Sequence, residues 1–283
     1  GQNRFTSSFY AYPCCFNYLP CLMKNILLLG ATGSIGDSAL DVIAQNPDSL
    51  NLYGMAFHSN IDKASEIANT HFPAFIYLEN INHKKTLIEK VNAKTEILSG
   101  KDELHNLLND PNIDVIISAI SGFSGLETTL MAAKTGKTIL LANKESIVVA
   151  GDIILPLAKE FNTKVIPIDS EHNAIFQCLV GEKAKEDVSK IIITASGGPF
   201  VNKSLDQLGM VTKEQALKHP NWEMGSKISI DSATLVNKCL ELIEAKYLFG
   251  LNEKLFKLVV HPQSIVHSIV TYVDGSSICQ MSN

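Results

Sequence analysis

From residue 24 onward, short apolar runs alternate with stretches of helical spacing. Runs 26–29, 52–57, 74–78, 115–120, 138–141 and 164–168 are four to six residues long and largely apolar, the pattern of strands buried on both faces. Between them, 37–45, 84–91, 125–134 and 151–161 place apolar residues three and four apart, which suits helices packed along one side. Such alternation builds parallel strands joined by crossover helices. The reading is an α/β, Rossmann-like doubly wound parallel sheet over residues 23–170. Beyond residue 170 the rhythm changes. A helix at 172–179, a strand at 190–195, a long irregular stretch, a helix at 233–249 and strands near 256–260 and 264–273 predict an α+β second domain over 171–283.

Residues 1–22 stand apart, rich in aromatics, broken by Pro13 and Pro20, with Arg4 their only charge. They read as a leader or an upstream addition, with Met23 as the native start. Organelle targeting is the functional alternative, although the segment has neither a continuous apolar core nor a basic amphipathic pattern. A net charge of −5 removes any general drive toward nucleic acid or an anionic membrane and leaves only local anion sites. No apolar run approaches the roughly 20 residues that cross a bilayer. Six cysteines without a CxxC pair fit a reduced, cytoplasmic protein.

Candidate chemistry begins at Gly30-Ala31-Thr32-Gly33-Ser34-Ile35-Gly36, which follows the first strand and opens the first helix. Glycines there let the backbone approach a pyrophosphate, and the helix N-terminus offers unpaired amides to it. A plain strand-to-helix turn has the same composition. The end of the second strand reads His58-Ser59-Asn60, with donors and no carboxylate, which favours a 2′-phosphate and hence NADP over NAD. Past the last strand of the sheet, Asp169 and Glu171 lie two apart, where one irregular turn aims both at a hard divalent cation. A helix N-terminus merely rich in acids is the competing account.

A further constellation spans 227–241 and reads as a strand running into a helix whose core stripe is Val236, Leu240, Ile243 and Tyr247. Asn237, Lys238 and Glu241 fall three and four apart on that helix, and Ser232 stands at its N-terminal turn as an anion donor or a simple cap. Ser196-Gly197-Gly198 follows another strand and exposes amides and a hydroxyl to an anion, or forms an ordinary turn. The only tryptophan, Trp222, sits in a loop between Pro220 and Gly225, suited to a lid or to a surface anchor.

Taken in order, GATGSIG (30–36), LANKES (141–146), PIDSEHNAIFQ (167–177), SGGPF (196–200), HPNWEMG (219–225), KISIDSATLVNKCLE (227–241) and VHPQSIVHSIVTYVDGS (260–276) resemble the motifs of the 1-deoxy-D-xylulose 5-phosphate reductoisomerase family. The resemblance implies rearrangement of that sugar phosphate to a branched aldehyde, then reduction by NADPH to 2-C-methyl-D-erythritol 4-phosphate. It implies that Asp169, Glu171 and Glu241 bind Mg²⁺ or Mn²⁺, and that Ser196, Ser232, Asn237 and Lys238 hold the substrate phosphate. His219, Trp222 and Met224 become a flap, and Lys144, Ser170 and His267 line the pocket. Gly30, Thr32, Gly33, Ser34, Ile35, His58, Ser59, Asn60, Ala142, Asn143, Glu145 and Gly225 become cofactor contacts, and the assembly a homodimer.

Two departures from the family stand out. Relatives commonly carry a glycine and a basic residue where His58 and Ser59 stand, and they continue past residue 275 into a helical C-terminal domain. The competing expectations are another NADP-linked semialdehyde or sugar dehydrogenase, which needs no metal, a catalytically incomplete fragment, and a nucleotide-sensing regulator without turnover.

Overall fold

The structure, a computed structural model, describes residues 23–179, 185–218 and 225–282. It divides into two compact units, Gly1–Ser146 with Ile153–Ile166, and Ile147–Asp152 with Pro167–Asn283. In chain order the first part contains β1 (Lys24–Leu29), α1 (Ser34–Gln45), β2 (Leu50–Phe57), α2 (Ile61–His71), β3 (Phe75–Leu78), α3 (Lys84–Lys90), β4 (Glu96–Leu98) and α4 (Lys101–Leu108). It continues through β5 (Val115–Ser118), α5 (Leu126–Ala132), β6 (Thr138–Leu141), α6 (Lys144–Glu160) and β7 (Lys164–Pro167).

These seven strands form one sheet in the order β4-β3-β2-β1-β5-β6-β7, and every pairing from β4 through β6 is parallel. The Rossmann-like reading holds. Strand order reverses between β1 and β5, which opens the crevice where such sheets take their ligands. Leu27, Leu28, Leu29, Ile76, Ile116 and Leu141 are buried in the sheet. α2, α4 and β4 were not among the expected elements. α2 buries mainly Ala64, Ser65 and Ala68 beside Ile67, too little apolar bulk for a clear stripe, and β4 is three residues long. α6 carries a kink at Ala150, so only its second half matched the expected helix.

The second part contains α7 (Ser170–Cys178), β8 (Val188–Ala195), α8 (Leu205–Leu208), α9 (Lys213–Ala216), α10 (Ser226–Ala233), α11 (Val236–Phe249), β9 (Phe256–Val260), β10 (Val266–Tyr272) and β11 (Ser277–Met281). Its four-stranded sheet runs β11-β10-β8-β9, with β9 parallel to β8 and β10 antiparallel to both its neighbours. One apolar cluster gathers Ile175 and Cys178 of α7, Ile191 and Ile193 of β8, Ala245 and Phe249 of α11, Phe256 and Val270.

Two expectations are corrected here. Residues 227–231 alternate polar and apolar as a strand would, yet they lie in α10, held by a Lys227–Asp231 ion pair one turn apart at 2.6 Å and by Ser229 Oγ donating to Gly225 O. The stripe of α11 is also rotated: Val236 and Ile243 are exposed, while Lys238, Glu241, Glu244, Ala245 and Phe249 are buried. Among the described residues no helix is long and apolar enough to cross a membrane.

Candidate active site

β7 ends at Pro167, and Asp169 caps α7, placing Glu171 in that helix's first turn. The turn is pinned from several sides. Asn173 Nδ2 donates to Pro167 O at 2.9 Å, Asn173 N to Asp169 O at 2.8 Å, and buried Ser268 of β10 donates through Oγ to Glu171 O at 2.9 Å. On α11, Glu241 is 1% exposed. One carboxylate oxygen from each of Asp169, Glu171 and Glu241 lies within 4.8 Å of the others. Three hard oxygens that close can share a Mg²⁺ or Mn²⁺ ion at metal-ligand distance, whereas a soft metal would call for sulfur or imidazole.

Lys238 stands among these acids, bonded through Nζ to Glu171 and, at 2.7 Å, to Glu241. Burial alone would push its ammonium pKa down, but the charges of Glu171, Glu241 and Asp169 together outweigh that and raise it, so the group stays cationic. Three carboxylates and one ammonium leave a formal charge of −2. Asn237 Nδ2 donates to the other oxygen of Glu241 at 2.5 Å, and Ser170 Oγ to Glu171 at 2.5 Å.

α10 and α11 are separated by Leu235, a non-glycine residue at φ 61°. That sharp break brings Ser232, Asn237 and Lys238 to one small pocket, lined as well by Ala195, Ser196, Gly197 and Leu235. Ser232 therefore sits near the end of α10 and does not occupy the first turn of α11, a correction that leaves it at the pocket. The turn after β8 closes the other side. Gly198 adopts φ +69°, and a Cβ there would lie 2.8 Å from Ser232 O, so only glycine lets the two backbones approach. Its amide donates to Ser196 Oγ at 3.2 Å.

His267 lies in β10 with Nε2 2.7 Å from Ser282 Oγ, and burial lowers its pKa. A second tier escaped the sequence reading. His172 is fully buried, with Nε2 2.8 Å from Glu241 O and Nδ1 3.1 Å from Glu244 Oε2 and 3.7 Å from Asp169 Oδ1. A histidine next to Glu171 and an acid one turn beyond Glu241 were the signals available. His219, Trp222 and Met224 lie outside the described residues; Gly225 begins α10 as its N-cap.

In the first unit, Gly30 has φ +89°, and a Cβ there would lie 2.6 Å from Ala119 O, just past β5. The glycine is required because β1 and β5 are neighbours at the reversal point. Gly33 caps α1 with no side-chain hydrogen bond, and Gly33, Ser34 and Ile35 are exposed, so the helix N-terminus is open to an anion; Thr32 is half-buried. Asn60 caps α2, while exposed His58 stands 2.7 Å from Glu79 Oε2. The expectation of a turn without a carboxylate is corrected by Glu79, brought in from the end of β3. Lys63 is a cation the sequence reading missed: its Nζ reaches Asp37 Oδ2 at 2.7 Å and Thr32 O at 3.1 Å. Ser59 is exposed beside His58. Ala142 and Lys144 flank Asn143, whose Nδ2 donates to Ile120 O, Gly122 O and Glu145 Oε2, tying the start of α6 to the segment after β5.

Residues 26–151 match the 1-deoxy-D-xylulose 5-phosphate reductoisomerase family model, and residues 165–249 match that of the same enzyme's C-terminal domain. A 1-deoxy-D-xylulose 5-phosphate reductoisomerase of Acinetobacter baumannii is 45% identical over 273 residues, covering 93% of this chain and 69% of the relative. A crystal structure of DOX-P reductoisomerase in complex with NADPH, fosmidomycin and magnesium superimposes with a TM-score of 0.86 at 44% identity, covering 92% of this chain and 66% of that one. The Zymomonas mobilis enzyme in complex with NADPH gives 0.84 at 41% identity, covering 92% of this chain and 67% of that one.

Proposed function

Because the chain belongs to the 1-deoxy-D-xylulose 5-phosphate reductoisomerase family, we propose that it is an NADP-dependent oxidoreductase and isomerase acting on that sugar phosphate. The product is 2-C-methyl-D-erythritol 4-phosphate, in non-mevalonate isoprenoid biosynthesis. The observation that carries the reading is the convergence of Asp169, Glu171 and Glu241 on one point, joined by Lys238 to the pocket of Ser196, Ser232 and Asn237.

Asp169, Glu171 and Glu241 hold Mg²⁺ or Mn²⁺, as the magnesium complex of the related enzyme supports. The ion, when bound, supplies Lewis acidity toward carbonyl and hydroxyl oxygens of the substrate. Ser196, Ser232, Asn237 and Lys238 hold the phosphate, each charge-assisted contact worth roughly 1.5–3 kcal/mol. Ser170 orients Glu171 through its hydroxyl, and the pinned first turn of α7 fixes Asp169 and Glu171 before substrate arrives. His267, its pKa lowered, lines the pocket as a neutral donor or acceptor. Gly30, Thr32, Gly33, Ser34 and Ile35 seat the pyrophosphate of NADPH, the hydride donor. His58, Ser59 and Asn60 meet its 2′-phosphate, Ala142, Asn143 and Glu145 complete the cofactor side, and Lys144 lines the substrate pocket. His219, Trp222 and Met224 form the flap over the substrate and Gly225 is a cofactor contact, roles that rest on the family motif. The active form is a cytoplasmic homodimer.

The test is NADPH oxidation with 1-deoxy-D-xylulose 5-phosphate, with Mn²⁺ and after chelation, for the chain as given and for Glu241→Gln. Turnover that vanishes on chelation and in the variant, with NADPH affinity kept in both, supports the reading. Metal-independent turnover points instead to a semialdehyde or sugar dehydrogenase.

A further inference from the structure

All four carboxylate oxygens of Glu171 and Glu241 are engaged by donors. Ser170 Oγ and Lys238 Nζ take those of Glu171, and Asn237 Nδ2 and Lys238 Nζ take those of Glu241. Asn237 and Lys238 also line the pocket with Ser196 and Ser232. The groups suited to hold a phosphate are thus turned onto the acids suited to hold a metal. A divalent cation needs the same oxygens as the ammonium, and two positive charges a few ångströms apart in a buried site repel strongly.

We propose that Lys238 couples the two sites: a divalent cation displaces its ammonium from Glu171 and Glu241, and the freed ammonium, with Asn237, becomes the receptor for the phosphate. The inference rests on the metal and phosphate roles proposed above. Phosphate, conversely, draws Lys238 off the carboxylates and leaves them to the metal. Linkage requires the two effects to be equal. An empty pocket and a metal-loaded carboxylate set are then disfavoured together, so the ion and the sugar phosphate arrive as partners.

Calorimetric titration of Mg²⁺ and of inorganic phosphate, each alone and in the presence of the other, measures the coupling in the chain as given. Each ligand should tighten the other by the same factor, about tenfold or more, within the usual range for coupled sites. In Lys238→Met, Mg²⁺ alone should bind more tightly than to the unaltered chain, since its competitor is gone, and the mutual tightening should fall to whatever direct attraction between the ions supplies. A readout that needs no variant is the ammonium NMR resonance of Lys238, which should move on adding Mg²⁺ without phosphate. Binding of both ligands with no mutual effect, a Lys238→Met protein that keeps the full factor, or a lysine resonance that Mg²⁺ leaves in place would each overturn the coupling while sparing the site assignment. Failure of Mg²⁺ to bind at all overturns both.

Discussion

Replacing His172 with phenylalanine tests whether the second tier holds the proposed metal-binding acids in place. The ring is fully buried, 6.5 Å from that of Phe249, so phenylalanine fits the apolar side of the site while removing both nitrogens. Two losses follow. Glu241 O, inside α11 and so within reach of the helix's own amide four residues on, loses a second donor at 2.8 Å, worth about 0.5–1.5 kcal/mol. Glu244, 1% exposed, loses the polar ring 3.1 Å from its carboxylate, and removing the polar neighbour of a buried group costs about 1–3 kcal/mol. The second term dominates. Partial relaxation keeps the sum at about 2–3 kcal/mol, a large share of the roughly 5–15 kcal/mol that holds a domain folded.

The double variant His172→Phe, Glu244→Leu removes both partners, and apolar replacement of a buried pair is often near neutral. It should recover most of the stability lost by the single variant, although Mn²⁺ affinity should still fall about 10- to 100-fold, as for other lost supports of metal ligands. Urea unfolding of the singles and the double gives the coupling energy directly. A single variant that loses under 1 kcal/mol, or a double whose loss equals the sum of the singles, would refute the pairing.

Gly30→Ala forces φ +89° on alanine and sets its Cβ 2.6 Å from Ala119 O, so NADPH affinity should fall at least tenfold while Mn²⁺ affinity is kept, as calorimetry would show. Gly198→Ala places a Cβ 2.8 Å from Ser232 O at φ +69°; it should lower stability by about 1–3 kcal/mol in urea and weaken phosphate binding, because the pocket wall must shift. Among the described cysteines, burial and the neighbouring Cys279 push the Cys178 thiol up to about 11. Peptide mapping after brief alkylation of the folded protein should find exposed Cys239 and Cys279 modified and Cys178 intact, and rapid labelling of Cys178 would contradict its burial.

The parallel strands were legible because both their faces are covered: Leu27, Leu28 and Leu29 are all fully buried, so no polar residue interrupts the run. The glycine turn was legible for a related reason, since the reversal of strand order at β1 and β5 brings Ala119 against Gly30 and permits no side chain there. α2 left a fainter trace because small residues fill its buried face. α10 misled because Ile228 and Ile230 repeat at a spacing of two, and nothing local in that stretch reveals the Leu235 break that follows. Glu79 and Lys63 escaped because each reaches its partner from another element, across 21 and 26 residues of sequence.

The misplaced stripe of α11 has a more informative cause. Apolar spacing pointed to Val236, Leu240, Ile243 and Tyr247, yet the buried face carries Lys238, Glu241 and Glu244 above Ala245 and Phe249. Charged groups buried on one helix face are tolerated only where each finds a partner. Lys238 finds Glu171 and Glu241, and Glu244 lies 3.1 Å from His172, so among the described residues these two outside partners come from the first turn of α7. Residues 169–172 and 238–244 are therefore one unit written in two places. Removing Glu171 leaves Lys238 with Glu241 as its carboxylate partner on the same helix, and removing Lys238 leaves Glu171 and Glu241 facing each other without a cation between them. Spacing at three between Lys238, Glu241 and Glu244 was visible in the sequence, and it conflicted with the apolar stripe. That conflict between the two spacings is where the helix departs from an ordinary apolar stripe and where the proposed site falls.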